Sequence, residues 1–90
     1  MQIEIRSSFV RDSKKLPDHI REKIAEAISI LSDAKIFSEI PDIKDIKGGK
    51  KAKNAYRMRI DDYRICFYFK NETVELVRVL PRKDVYKVFP

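Results

Sequence analysis

Arginines that alternate with apolar side chains over residues 55–69 are the residues best suited to chemistry in this sequence. Arg57 and Arg59 occupy alternate positions of one predicted strand, and Arg64 lies near the start of the next. Successive side chains of a strand point to opposite faces, so the intervening apolar residues face one way and the arginines the other. Two consecutive aspartates between the strands suit a tight turn. The stretch predicts a hairpin with an apolar core face and a basic working face.

Positive charge is concentrated in the second half of the chain, whose overall formal net charge is +6. Residues 1–46 carry 8 Lys or Arg against 9 Asp or Glu, whereas residues 47–90 carry 12 against 5. A surplus confined to one half favours a basic patch, which would attract a polyanion such as nucleic acid or an acidic protein. A solvated basic face without a partner is the alternative, and the alternating arginines favour the patch.

Other groups that could act in catalysis are scarce. The only histidine, His19, lies at the start of a predicted helix in the half without the arginines, and we expect it to be an exposed residue there. The only cysteine, Cys66, excludes an internal disulfide and favours a cytoplasmic location. The basic half has no carboxylate cluster at metal-ligand spacing, and no serine follows Ser38. We therefore expect neither a metal site nor a cofactor.

The hydrophobic pattern predicts four strands and two helices. Strands are expected near residues 2–6, 54–60, 63–69 and 73–80. Ser7 or Ser8 is expected to cap a helix over residues 8–15, and apolar residues at helical spacing predict a second helix over residues 17–32. The order is β-α-α-β-β-β, with the helical hairpin packed on one face of the sheet.

A chain of 90 residues is expected to form one α+β domain, residues 1–90, around a single core. No apolar run approaches the roughly 20 residues of a membrane span, so no membrane partner is expected. The expected core combines the apolar faces of the helices and strands: Ile3, Ile5, Phe9, Leu16, Ile20, Ile24, Ile28, Leu31, Ile65, Phe67 and Phe69.

Two segments lack clear periodicity. Residues 33–46 are expected to form a connector that packs on the domain through Ile36, Phe37, Ile40, Ile43 and Ile46. Residues 47–54, KGGKKAKN, form a basic loop without the lysine and Ser/Thr spacing of a P-loop. Because this loop leads into the arginine-bearing strand, we expect it to guide a polyanionic substrate through Lys50, Lys51 and Lys53.

The order of elements, the stretch YRMRIDDYRICFYF (56–69) and the terminal RKDVY (82–86) resemble the RelE/ParE superfamily of bacterial toxins from type II toxin–antitoxin pairs. The resemblance covers nearly the whole chain. It implies a compact α+β domain whose antiparallel sheet of about four strands is covered by helices on one side.

RelE-like members of this superfamily cleave messenger RNA in the ribosomal decoding site, whereas ParE-like members poison DNA gyrase. The resemblance implies a RelE-like, ribosome-dependent endoribonuclease (an mRNA interferase) that acts in the cytoplasm without a metal and inhibits translation. It also implies a cognate antitoxin protein as partner. A ParE-like gyrase poison and a non-catalytic nucleic-acid-binding relative are the alternatives.

The resemblance also implies site residues. The RelE-like branch has an arginine in the hairpin strand, an arginine after the last strand and a tyrosine a few residues later, matching Arg64, Arg82 and Tyr86. Basic residues on the preceding strand match Arg57 and Arg59. A guanidinium group can bind two phosphate oxygens without losing its charge. Arg64 and Arg82 therefore suit a phosphate clamp.

Several roles stay open within this assignment. Tyr86 would stack on a base or transfer a proton, and Lys83 would bind substrate. Pro81 stands where many members of the superfamily have a histidine, so a loop lysine or Asp84 is left as the proton acceptor. Ordinary pairing with carboxylates is the alternative role for the arginines of the first hairpin strand. Fixing the C-terminal turn to the sheet is the alternative for Arg82 and Tyr86.

Overall fold

A five-stranded sheet forms the centre of the computed structural model, which describes residues 1–46, 48 and 52–90. The strands are β1 (Gln2–Ile5), β2 (Ile43–Asp45), β3 (Ala55–Ile60), β4 (Tyr63–Lys70) and β5 (Thr73–Pro81). They lie in the order β1-β5-β4-β3-β2. β1 pairs with β5 in parallel, and the other neighbours are antiparallel.

Three α-helices accompany the sheet in the described residues: α1 (Ser7–Lys14), α2 (Asp18–Asp33) and α3 (Val85–Val88). Short 3-10 helices span Phe37–Glu39 and Arg82–Asp84. The expected α+β class and the bounds of the four predicted strands and two predicted helices are confirmed to within one residue. The strand count was wrong, because the connector contributes β2. Its three residues are too short a stretch to show an alternating pattern.

The helix-facing side of the sheet carries the main core. Among the predicted core residues, six are buried there: Phe9, Ile20, Ile24, Leu31, Ile65 and Phe67. Four more are partly buried and pack against them: Ile3, Leu16, Ile28 and Phe69. The prediction was wrong for Ile5, which is 50% exposed because it ends an edge strand, and for Ile36, which is 52% exposed in the connector.

The free edge of β5 beyond its pairing with β1 is covered by α1. Ser8 Oγ donates to the Val77 carbonyl at 2.5 Å, and the Val79 amide donates to the Asp12 carboxylate at 3.1 Å. Arg78 Nε also lies 2.6 Å from that carboxylate. These bonds satisfy backbone groups that an edge strand would leave open. The predicted serine cap was wrong, because Arg6 occupies the N-cap without a side-chain bond and Ser8 bonds the strand instead.

A second, smaller core lies on the opposite face of the sheet. It consists of Ile46, Ala52, Ala55, Cys66, Leu80, Val85 and Phe89. Two of these residues come from the C-terminal segment, which folds back over the sheet. The face predicted to be a basic working surface is therefore divided between this cluster and the arginines. No helix in the part of the chain that the structure describes is long and apolar enough to cross a membrane.

Candidate nucleic-acid site

A groove of about 1080 Å³ opens on the face of the sheet that is turned away from α1 and α2. The ends of β2, β3 and β4 border it, and the segment that follows β5 closes one side. Six of the lining residues are cationic and three are anionic. The groove is lined by Asp42, Lys44, Arg57, Arg59, Asp61, Asp62, Arg64, Pro81, Arg82, Lys83, Val85 and Tyr86.

Strand register brings the arginines of the hairpin together. Arg59 lies directly opposite Arg64 in the β3–β4 ladder, and Arg57 lies opposite Cys66, two pairs further along. Like charges placed directly opposite one another destabilise a sheet. Arg64 lines the groove, whereas Phe67 is buried on the helix-facing side, as the alternation predicts. The basic face is thus a real feature of the sheet, and it exists at a cost in electrostatic free energy.

The four arginines of the groove (Arg57, Arg59, Arg64 and Arg82) form no salt bridge with a carboxylate among residues 1–46, 48 and 52–90. Ordinary cross-strand pairing with Asp or Glu therefore does not occupy Arg57 or Arg59 in the described structure. Of the groove carboxylates, Asp61 is paired instead with Lys23 of α2, at 2.8 Å.

Burial and neighbouring charge act together on Arg64. Its pKa is lowered, first by removal of the guanidinium from water and then by the positive charges of Arg82 and Arg59. Its Nη1 donates to the Asp61 carbonyl at 3.0 Å and to the Tyr63 carbonyl at 2.8 Å. A guanidinium has five N–H donors, and within the described part of the chain Nε and Nη2 form no hydrogen bond. That free edge is the one that can grip two oxygens of a phosphate.

Tyr86 is held over Arg57. The Arg57 Nη1 donates to the Tyr86 hydroxyl, and the guanidinium carbon lies 5.4 Å from the centre of the Tyr86 ring. Cation–π attraction therefore adds to the hydrogen bond. Tyr86 remains 61% exposed as a residue, so the groove has an accessible aromatic side chain beside its cations.

Arg82, the fourth arginine of the groove, is positioned by a backbone hydrogen bond. Pro81 pairs with Tyr63 at the end of the β4–β5 ladder, and the Arg82 amide then donates to the Asp62 carbonyl at 2.8 Å. The Arg82 side chain is exposed on the groove wall beside Lys83. The Asp84 carboxylate lies 3.9 Å from Lys87 Nζ and does not line the groove.

The structure thus brings six of the predicted site residues to one groove: Arg57, Arg59, Arg64, Arg82, Lys83 and Tyr86. Lys53 is exposed but does not line the groove, and Lys50 and Lys51 lie outside the described residues. His19 is exposed in the first turn of α2, as predicted.

Four groove residues were missed as site residues: Asp42, Lys44, Asp61 and Asp62. The aspartate pair was interpreted only as a turn, although a turn between two arginine-bearing strand ends necessarily adjoins them. Lys44 lies in the short β2, for which the sequence carries no strand signal.

Cys66 is the only thiol of the chain, and it is buried. Burial raises the pKa of the Cys66 thiol to about 12, so this buried residue stays a neutral thiol at physiological pH. Among residues 1–46, 48 and 52–90, no three His, Cys, Asp or Glu side chains come together as potential metal ligands. What the groove does offer is an array of hydrogen-bonding cations with one tyrosine.

Comparisons with known proteins show similarity to toxins of type II toxin–antitoxin systems over nearly the whole chain. Residues 3–86 match the family model of the ParE toxin of type II toxin–antitoxin system, parDE. The chain is 36% identical over 91 residues to Toxin RelE3 of Methanocaldococcus jannaschii, with 100% of both chains covered. Its fold is similar to the RelB–RelE antitoxin–toxin complex from Methanococcus jannaschii, with a TM-score of 0.77 and 36% identity over 97% of this chain and 99% of the matched chain. The archaeal RelE–RelB complex from Pyrococcus horikoshii has the same fold, with a TM-score of 0.70 and 22% identity over 93% and 97%.

Proposed function

Because this chain belongs to the RelE/ParE superfamily and is a RelE-type toxin, we propose that it is a ribosome-dependent endoribonuclease that cuts messenger RNA. The observation that carries this proposal is the groove, in which four arginines lie together without a carboxylate salt bridge in the described structure. A surface of this kind is complementary to a phosphodiester backbone.

Cleavage of RNA without a metal makes defined demands on the site. The 2′-hydroxyl attacks the adjacent phosphorus in line, the bond to the 5′-oxygen breaks, and a cyclic phosphate and a free 5′-hydroxyl result. A base takes the proton of the attacking hydroxyl, an acid protonates the leaving oxygen, and cations stabilise the charge that develops on the phosphate oxygens.

Arg64 and Arg82 are proposed to supply those cations. The free Nε and Nη2 edge of Arg64 suits bidentate binding of two phosphate oxygens, and its partial burial reduces competition from water. Repulsion among the arginines is relieved when a polyanion enters. The relief is greatest for the most highly charged species, the pentacoordinate transition state, so the same arrangement favours reaction over simple binding.

Tyr86 is proposed to transfer a proton to the leaving oxygen. Its hydroxyl oxygen accepts from Arg57, so its own proton is free to be donated, and the adjacent cation stabilises the phenolate that donation leaves. The exposed ring can also stack on a base. Arg59 and Lys83, together with the lysines of residues 47–54, would recruit the RNA.

A cognate antitoxin is the proposed protein partner, because two of the matched structures are complexes of a toxin with its antitoxin. We propose that it covers or distorts the groove with a segment rich in acidic residues, complementary to the basic half of the chain. An antitoxin that binds yet leaves the groove open and translation arrested would contradict this.

Induction of the chain in cells, followed by mapping of RNA ends and DNA breaks, tests the proposal. We expect rapid arrest of translation with cuts in ribosome-bound messages, and no cuts from an Arg64→Ala/Arg82→Ala control. Trapped DNA breaks without RNA cuts would identify a gyrase poison instead. Binding of RNA without either lesion would identify a non-catalytic relative.

A further inference from the structure

We propose that Lys23 and Asp61 are positioning residues whose ion pair ties the β3–β4 turn to α2, so that the turn holds the two clamp arginines. The role of those arginines rests on the proposed function, whereas the tie itself is a contact within the structure. No pattern in the sequence pointed to a functional role for Lys23, because it lies in α2, on the other side of the sheet from the groove.

The turn contacts both arginines through its backbone. The Asp61 carbonyl accepts from Arg64 Nη1 at 3.0 Å, and the Asp62 carbonyl accepts from the Arg82 amide at 2.8 Å. Two consecutive carbonyls of one turn thus orient the guanidinium of Arg64 and place the backbone of Arg82. A rotation of the turn would move both arginines together.

The turn has one residue in left-handed backbone, and the side chain of that residue contacts α2. Asp61 has a φ of 51°, in the left-handed region that aspartate tolerates but that costs more than the usual backbone conformations. Its carboxylate lies 2.8 Å from Lys23 Nζ. The hydrogen bond from Lys23 is the largest cause that lowers the pKa of the Asp61 carboxyl, so this carboxylate is ionised at neutral pH.

The ion pair between Lys23 and Asp61 is exposed to solvent, which limits its contribution to stability. The two side chains are 48% and 45% exposed, and exposed pairs of this kind contribute little to global stability. Orientation is more sensitive than stability, because a displacement of about 1 Å in a catalytic group can lower the rate by roughly 10²-fold. The pair is therefore expected to affect turnover much more than folding.

Conservative variants isolate the ion pair. Lys23→Met removes the charge and keeps a long side chain suited to a helix, and Lys23→Arg keeps the pair. Asp61→Asn removes the charge from the turn while keeping a residue that tolerates left-handed backbone. Lys35→Met is the matched control, because Lys35 is an exposed lysine outside this contact, and it reports the effect of lost net charge alone.

The first measurement is the NMR order parameter of the Arg64 Nε–H group in the folded chain, which needs no activity. We expect a fall to below about 0.6 in Lys23→Met and Asp61→Asn, and values near those of the parent chain in Lys23→Arg and Lys35→Met. An unchanged order parameter in Lys23→Met would overturn the proposal. If the parent chain cuts no RNA, this result still decides whether the tie exists, and only the proposed function fails.

The second measurement is ribosome-dependent cleavage, with kcat separated from KM. We expect kcat to fall about tenfold in Lys23→Met and in Asp61→Asn, and no further in the double variant, because each acts through the other. Lys23→Arg should restore kcat. Losses that add in the double variant, or a rise in KM alone that low salt removes, would show that Lys23 acts as a recruiting charge and not as a tether.

Discussion

Replacement of Arg64 by alanine should lower cleavage steeply while leaving the protein as stable as before. The side chain contacts no carboxylate in the described structure and lies opposite Arg59, so its removal relieves repulsion between like charges. Cross-strand pairs of this kind are worth roughly 0.2–1 kcal/mol. The two hydrogen bonds lost from Nη1 go to the carbonyls of Asp61 and Tyr63, which solvent can reach in the variant. We expect the two effects to offset to within about 1 kcal/mol.

The expected loss of rate is much larger than that change in stability. Removal of one preorganised donor to a developing charge costs about 10²–10³-fold in rate, and Arg64 presents two free donor positions to the phosphate. Arg64→Lys separates charge from geometry: the charge remains, but the planar fork and its two backbone bonds are lost. Lysine should therefore recover only part of the rate, with most of the loss remaining in kcat.

The assay pairs ribosome-dependent cleavage at saturating substrate with urea unfolding of the same preparations. Arg21→Ala serves as the matched control, since it removes an exposed arginine of α2 that lies outside the groove. A folded Arg64→Ala variant that cuts RNA at the parent rate would refute the clamp. A large loss of stability in Arg64→Ala would refute the argument that this arginine is held against electrostatic strain.

Three further outcomes are expected. Tyr86→Phe should lose most of kcat if the hydroxyl transfers a proton, whereas Tyr86→Phe with full activity and an inactive Tyr86→Ala would assign stacking. Asp12→Ala should destabilise the fold by about 2–3 kcal/mol in urea unfolding, because it leaves the half-buried Arg78 unpaired, whereas loss of the exposed Asp18 pair should cost less than about 1 kcal/mol. Burial raises the pKa of Cys66 from 9.0 to about 12, so the contribution of this thiol to stability should be constant below pH 9 and should fall between pH 9 and 12, and Cys66→Ala should remove that part of the decline.

Local pattern was enough to predict the hairpin that carries most of the site. Side chains alternate with period two in any strand, so Arg57, Arg59 and Arg64 could be assigned to one face without knowledge of the neighbouring elements. The same argument fails at the edge of the sheet. Ile5 lies on the same face of β1 as Ile3, as a core residue would, but the alternation does not show where the covering helices end, and Ile5 is half exposed.

The position of the C-terminal residues depended on long-range register. A regular β4–β5 hairpin would place Tyr63 opposite Leu80, whereas a register shift between Cys66 and Phe67 places Tyr63 opposite Pro81. A bulge of this kind has no reliable sequence signal, yet it determines which residue follows the ladder into the groove. Arg82 and Tyr86 were therefore assigned to the site by resemblance alone. The tie between Lys23 and Asp61 joins residues 38 positions apart and was equally invisible.

The C-terminal segment has both of the roles that were alternatives for it: it packs on the sheet, and it contributes a side chain to the groove. Val85 and Phe89 are buried in the second core and anchor the segment to the sheet. Tyr86, the neighbour of the first anchor, points instead to the groove and contacts Arg57. Helical geometry separates adjacent side chains by about 100°, so one short helix can pack through one side and present a functional group from another. The packing of Val85 on the sheet therefore also positions Tyr86. A substitution that weakens the packing of Val85 should remove Tyr86 from the groove.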